Sequence, residues 1–179
     1  MEAAGIPVRC VPPGVDERGF SDPDPVRLAR TLALAKAKAV AERLPEALVI
    51  GADQVAVHPE RPEEPFGKPG SEEAHFAMLS AMRGRTHVLV TGFALVGPGE
   101  AEVVGHEQTA LRVRADLTDD ELWAYVRSGE GRECAGGYRA EAHGAFLFEK
   151  IDGDWFNVLG LPLLRVMDAL RRRGWRFGT

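Results

Sequence analysis

A single acid interrupts the apolar run Ala47-Leu48-Val49-Ile50-Gly51-Ala52-Asp53-Gln54-Val55-Ala56-Val57. Leu48, Val49 and Ile50 read as a buried β-strand, Gly51 permits a tight backbone path, and Asp53 falls where that strand should end. A carboxylate is costly to bury without a partner. Asp53 is therefore either a solvated strand end or an acid held on a rigid element for metal or general-base work. Lys36 is the second residue of interest. Leu28, Leu32 and Val40 recur at i, i+4 and i+12 of a helical stretch, and Lys36 takes the i+8 place inside their apolar stripe. Its ammonium either snorkels to the edge of the interface or serves as a phosphate ligand at a cleft. Lys68 is presented by Phe66-Gly67-Lys68-Pro69-Gly70, a turn stiffened by glycine and proline on both sides. Asp16 and Glu17 lie in a polar loop and read, taken alone, as solvated surface.

The elements that must position these residues follow from periodicity and punctuation. Residues 1–5 resemble the last turn of a helix with Gly5 as its cap, and 6–11 a short strand closed by Pro12-Pro13-Gly14. Pro23 and Pro25 lead into a helix over 26–44, stopped by Pro45. Residues 58–65 form an exposed loop rich in Pro and Glu. Ser71 caps a helix with Ala74, Met78 and Ala81 on one face, ended by Gly84. A strand over 86–96 and a second over 101–115 make a long hairpin about the turn 97–100. Thr118-Asp119-Asp120-Glu121 is a capping box that starts a helix reaching Arg127, with Leu122, Tyr125 and Val126 inward. A glycine-rich stretch, 134–141, precedes a strand over 144–151. Its glycines permit close approach to a ligand but serve plain turns equally, and their order matches neither standard phosphate-binding pattern. Asp152-Gly153 is a turn, and 157–163 feed a C-terminal helix ending at Arg171-Arg172-Arg173, capped by Gly174.

Composition bounds the function. A chain of 179 residues, 45% hydrophobic and 27% charged, is ordinary for one globular domain. A formal net charge of −5 argues against a duplex nucleic-acid binder, so a polyanionic substrate needs local lysines or arginines. Cys10 and Cys134 have no metal-type spacing and read as free thiols in a reducing compartment, filling small core positions. His58, His75, His87, His106 and His143 form no pair on one helical face, and none is assigned to a metal. No apolar run approaches the roughly 18–20 residues of a membrane span, and residues 1–5 are not a signal peptide, so a cytoplasmic protein without membrane contact is expected.

Assembled in order, Val15-Asp16-Glu17, Leu32-Ala33-Leu34-Ala35-Lys36-Ala37, Gly51-Ala52-Asp53, Gly67-Lys68-Pro69, Gly84-Arg85-Thr86-His87, Thr91-Gly92, Ala135-Gly136-Gly137-Tyr138 and Asn157-Val158-Leu159-Gly160-Leu161-Pro162 resemble the Maf family of nucleoside triphosphate pyrophosphatases. The resemblance runs from Met1 to about Gly174 and implies one Maf-like domain over 1–179. It implies an α/β fold built on a long, bent mixed sheet flanked by helices, similar to the inosine triphosphate pyrophosphatases. It also implies cleavage of a nucleoside triphosphate to the monophosphate and pyrophosphate with a divalent cation, usually Mg²⁺, with Mn²⁺ or Co²⁺ as alternatives. By the same resemblance Asp53 matches the catalytic acid, and Glu17, Lys36 and Lys68 match the other active-site positions. Asp53 and Glu17 are then hard oxygen ligands for the cation, and the lysines supply positive charge to the pyrophosphate. A homodimer is also implied.

Departures from the family pattern refine the expectation. Gln54 and Glu141, with Cys134 and Arg139, look like the branch that acts on 7-methyl-GTP, since a carboxylate can accept from the N1–H and N2–H₂ edge of a cationic methylated guanine. The alternatives are a dTTP/UTP pyrophosphatase of the same family, or a non-catalytic nucleotide-binding regulator linked to cell division. Family members open with a strand and a Ser-x-x-Arg segment not found here, which reads as a start downstream of the true one or as an impaired paralogue.

Overall fold

The computed structural model describes every residue except 2–5, 177 and 179, so the helix end capped by Gly5 lies outside the described residues. Five strands, β1 (Val49–His58), β2 (Arg61–Phe66), β3 (Thr86–Val96), β4 (Val103–Val113) and β5 (Phe148–Asp152), form one sheet in the order β2-β1-β3-β4-β5. Helices α1 (Pro25–Ala41), α2 (Glu72–Met82), α3 (Asp119–Arg127), α4 (Trp155–Val158) and α5 (Leu163–Arg172) flank it, giving the expected α/β architecture. The mixed sheet is corrected: among the described residues all four strand pairs are antiparallel. Two of them are hairpins, which only antiparallel strands can close with a short turn. β2 and β3 run in the same direction through the α2 crossover, but β1 lies between them, so that crossover makes no parallel pair.

α1 rests on one face of the sheet at backbone distance. Ala29, Ala33 and Ala37, one helical row, are fully buried. Beneath them are Gly51 of β1 and Gly92 of β3, where an added Cβ would lie 2.3 Å from the Ala33 and Ala29 carbonyl oxygens respectively. The helix opens on Asp24, whose carboxylate accepts from the Val26 and Arg27 amides, with Pro25 at the first position. It ends at Ala41, short of the expected 44. The other face carries two cores. Leu79 and Met82 of α2 and Leu122, Tyr125 and Val126 of α3 pack on Leu89 and Leu111, while Val166 and Leu170 of α5 cover Phe93 and Leu95.

The strand over 86–96 and the capping box are as expected. The Thr118 hydroxyl accepts from the Glu121 amide at 3.3 Å, and the Glu121 carboxylate accepts from the Thr118 amide at 2.7 Å. Other expectations are corrected. Residues 6–11 are irregular rather than a strand, and Pro7 has no N–H to offer a ladder. Residues 58–65 are exposed but not a loop: β2 pairs with β1, its Pro62 and Pro65 tolerated because the strand lies at the sheet edge. α2 buries His75, Leu79 and Met82, with Met78 only partly buried against the same core and Ala74 and Ala81 exposed. The last strand starts only at Phe148, after a 3₁₀ turn over His143–Leu147. Both thiols are free, but Cys10 is exposed and Cys134 only partly buried, so neither fills the core. Among the described residues no helix is long and apolar enough to cross a membrane.

Candidate active site

Asp53 is not a strand end. β1 continues for five residues past it, and Asp53 sits opposite Gly92 of β3. Its neighbour in space is Lys36, whose Nζ lies 2.5 Å from Asp53 Oδ1 and 2.7 Å from Glu17 Oε1. The close seating of α1 on the two glycines makes this reach possible. Glu17 opens a one-turn 3₁₀ segment, Glu17–Gly19, which Asp16 caps by accepting from the Arg18 amide. The Asp53 side chain is 10% exposed and that of Lys36 18%, whereas Glu17 is half in solvent at 53%.

The electrostatics follow from that arrangement. Burial pushes the Asp53 carboxyl above its ordinary range; Lys36 opposes the rise without cancelling it, and the charge of Glu17 adds to it. Burial pulls Lys36 down, but its hydrogen bonds to Asp53 and Glu17 outweigh this and hold the ammonium more firmly protonated than a free lysine. Each carboxylate gives one oxygen to Lys36 and keeps a second. Two converging carboxylates suit Mg²⁺, which takes one or two such ligands and completes its shell with water and phosphate oxygens. Among the described residues no group of three or more His, Cys, Asp or Glu side chains forms an all-protein cage. A cleft of about 670 Å³ is lined by residues 47–52, at and just before the start of β1, by residues 7–11 and by Lys36.

Lys68, Gln54 and Glu141 are not in this trio. The chain leaves β2 at Phe66, opposite Ala56 of β1, and Lys68 then extends to within 3.7 Å of the Glu133 carboxylate, both side chains exposed. Gln54 points to the sheet face away from Asp53, as alternation along a continuing strand requires. Its amide nitrogen donates to Thr91 Oγ1 at 2.9 Å and to the Asn157 carbonyl at 2.7 Å. Asn157, fully buried, in turn donates to the Leu89 carbonyl and Thr109 Oγ1. Glu141 accepts from Arg139 Nε at 3.0 Å on the glycine-rich segment. Burial, with Glu141 nearby, pushes the Cys134 thiol up.

That segment lies on the Gln54 face, with Gly136 next to Ala56. It is fastened from behind: His75 Nε2 donates to the Gly137 carbonyl, and His87 Nε2 bonds the Tyr138 hydroxyl. Sequence reasoning passed over these two histidines and over the Ala29, Ala33, Ala37 row. The row was visible as alanines at i, i+4 and i+8; the histidines gave no local signal.

The family model for Maf-like proteins matches residues 1–173. The chain belongs to the Maf family. Among curated relatives of this Maf chain, the dTTP/UTP pyrophosphatase of Moorella thermoacetica is 43% identical over 167 residues, covering 93% of this chain and 84% of the relative. The dTTP/UTP pyrophosphatase of Symbiobacterium thermophilum is 39% identical over 179 residues, covering 100% and 90%. The nucleoside triphosphate pyrophosphatase of Rhodopseudomonas palustris is 37% identical over 179 residues, covering 97% and 87%. In this member of the Maf family, the lysine bridging two acids is the one place where cationic and anionic groups converge beside a cleft among the site residues named above.

Proposed function

We propose that this Maf chain hydrolyses pyrimidine nucleoside triphosphates of the dTTP and UTP type, releasing the monophosphate and pyrophosphate, with Asp53, Glu17, Lys36 and Lys68 as its active-site residues. The enzyme is a nucleoside triphosphate pyrophosphatase, a hydrolase of the α–β phosphoanhydride. The observation that carries the reading is the contact of Lys36, which lines the cleft, with both Asp53 and Glu17.

Asp53 and Glu17 would hold a divalent cation, Mg²⁺ or in its stead Mn²⁺ or Co²⁺. Such a cation offsets charge on the phosphate oxygens and lowers the pKa of bound water. Lys36 draws the two carboxylates together and keeps them from repelling each other. Asp53, the more buried acid, orients the attacking water and takes its proton. Lys68, exposed beside Glu133, would neutralise the departing pyrophosphate. The stretch 139–144 would meet the base, since Glu141 lies near Cys134 as Lys68 does. Two free thiols fit a reducing, cytoplasmic setting.

The pyrimidine preference is supported by the names of the relatives, and the contacts of Gln54 remove one argument against it. Both amide hydrogens of Gln54 are taken by Thr91 and Asn157, so it has no donor left to offer a base. This weakens half of the sequence argument for 7-methyl-GTP. Glu141 keeps that second reading alive, because its carboxylate remains partly exposed and can accept from a guanine edge. A pyrophosphate-release assay with UTP, dTTP and 7-methyl-GTP, with Mg²⁺ and with chelator, tests both. The expected result is kcat/KM for UTP and dTTP at least about tenfold above that for 7-methyl-GTP, lost on chelation. The reverse order selects the methylated guanine, and no release from any of the three overturns catalysis in favour of a nucleotide-binding regulator.

A further inference from the structure

Tyr125 and Glu130 do more than pack. The stretch from Arg139 to Gly144 makes one tight turn, and its backbone amides are held at both ends by these two side chains. The Arg139 amide donates to the Tyr125 hydroxyl at 3.0 Å. The Gly144 amide donates to Glu130 Oε1 at 2.8 Å, and the His143 amide to Glu130 Oε2 at 3.3 Å. The two anchors are joined, since the Tyr125 hydroxyl donates to Glu130 Oε1 at 3.1 Å. His143 Nδ1 adds a contact to Oε2 at 3.0 Å.

The turn has little freedom to shift. A Cβ at Gly144 would lie 2.5 Å from the Arg139 carbonyl oxygen and 2.9 Å from the Tyr125 hydroxyl. Ala140 is buried, whereas Arg139 and Glu141 point outward and pair with each other. Burying a carboxylate to fasten a surface turn is costly, because each ion taken from water must be repaid by hydrogen bonds. Glu130 is 12% exposed and receives four such contacts from Tyr125, His143 and Gly144. Burial raises its pKa and those hydrogen bonds, led by Gly144, more than reverse the rise. An apolar plug would secure a turn as well; a charged anchor with several acceptor sites fixes amide directions too.

We infer that Tyr125 and Glu130 are positioning residues that set the orientation of Glu141 toward the nucleotide base. The inference rests on the reading of 139–144 as the segment that meets the base. Neither residue touches substrate; each acts through the backbone amides of the turn.

The test measures kcat and KM for UTP and 7-methyl-GTP in Tyr125→Phe, Glu130→Gln, Glu141→Gln and the Glu130→Gln/Glu141→Gln double variant of the full chain. Positioning predicts that Tyr125→Phe and Glu130→Gln change the ratio of kcat/KM between the two nucleotides by at least about threefold, mainly through KM, and that Glu130→Gln has no further effect on that ratio once Glu141 is Gln. Equal loss on both nucleotides, tracking a lowered melting temperature, would make the anchors merely structural and overturn the inference. If Glu141→Gln changes the ratio but the two anchor variants do not, base recognition stands and positioning falls. If Glu141→Gln leaves the ratio unchanged, base recognition by the turn falls, and the inference with it. Should Glu130→Gln fail to fold, Tyr125→Phe, which removes one hydroxyl, decides.

Discussion

Lys36 meets Asp53 because α1 has no side chain under it at the crossing: its alanine row lies on Gly51 and Gly92, and the lysine one helical position before Ala37 drops onto the acid. The contact joins helix, sheet and, through Glu17, the segment before the helix. Four predictions depend on it and on the polar anchors across the sheet.

Asp53→Asn keeps the shape of the side chain and removes the charge. Pyrophosphate release is expected to fall by roughly 10³-fold in kcat/KM, within the range of a lost general base, with the circular dichroism spectrum unchanged. Activity within about tenfold of the parent protein would remove Asp53 from the reaction.

Gly51→Ala tests the close seating of α1. The new methyl would lie 2.3 Å from the Ala33 carbonyl oxygen and 2.9 Å from the Ala37 Cβ, so the helix must lift. Overpacking of this kind costs about 1–3 kcal/mol, readable as a lower urea midpoint at unchanged slope. Lys36 would lift with the helix, so kcat should fall beyond what the lost stability explains.

In the cation-free chain, the acid limb of the carboxylate titration profile followed by NMR should lie above the ordinary aspartate value of 3.8, because burial raises Asp53. Glu17→Gln removes a charge that raises Asp53 and is expected to move the limb to lower pH. Lys36→Met removes the cation that opposes burial and should move it to higher pH. The stability linkage has a definite sign. The folded chain holds this proton more tightly than the unfolded chain, so stability falls as pH rises from 3.8 through the folded value, and Asp53→Asn abolishes that slope. Limbs unmoved by either variant would show that Asp53 does not govern the profile.

His87 is fully buried, its Nδ1 without a partner among the described residues, and burial lowers its pKa from 6.5 to about 4. The unfolded chain takes up this proton below 6.5 and the folded chain only near 4. Stability is therefore lost as pH falls across that window, by about 3 kcal/mol. Denaturant titrations at several pH values should show the slope, and His87→Gln should flatten it. An equal slope in that variant would assign the loss to other groups.

Much of the frame was legible where the signal is local. Alternation marked β3 at its true ends, and the Thr118–Glu121 box marked α3 together with its buried face. Lys36 could be picked out because a charged residue broke an apolar helical row. The rest depends on partners distant in the chain. Pro62 and Pro65 disguised β2, since nothing local says that a strand will sit at an edge where missing donors are harmless. Gly51 and Asp53 made β1 look finished, which hid the alternation that sends Gln54 to the face opposite Asp53. The fastening of Gly137 by His75, 62 residues away, has no sequence signature at all.

β2 has a further consequence. An outermost strand exposes a row of unpaired amides and carbonyls on which another chain can add, the route by which sheets fuse between molecules. Arg61-Pro62-Glu63-Glu64-Pro65-Phe66 lacks two backbone amide hydrogens and carries three charges. In a crowded solution, a neighbouring copy finds little there on which to template a strand, so this short hairpin arm acts as a guard against edge-to-edge aggregation.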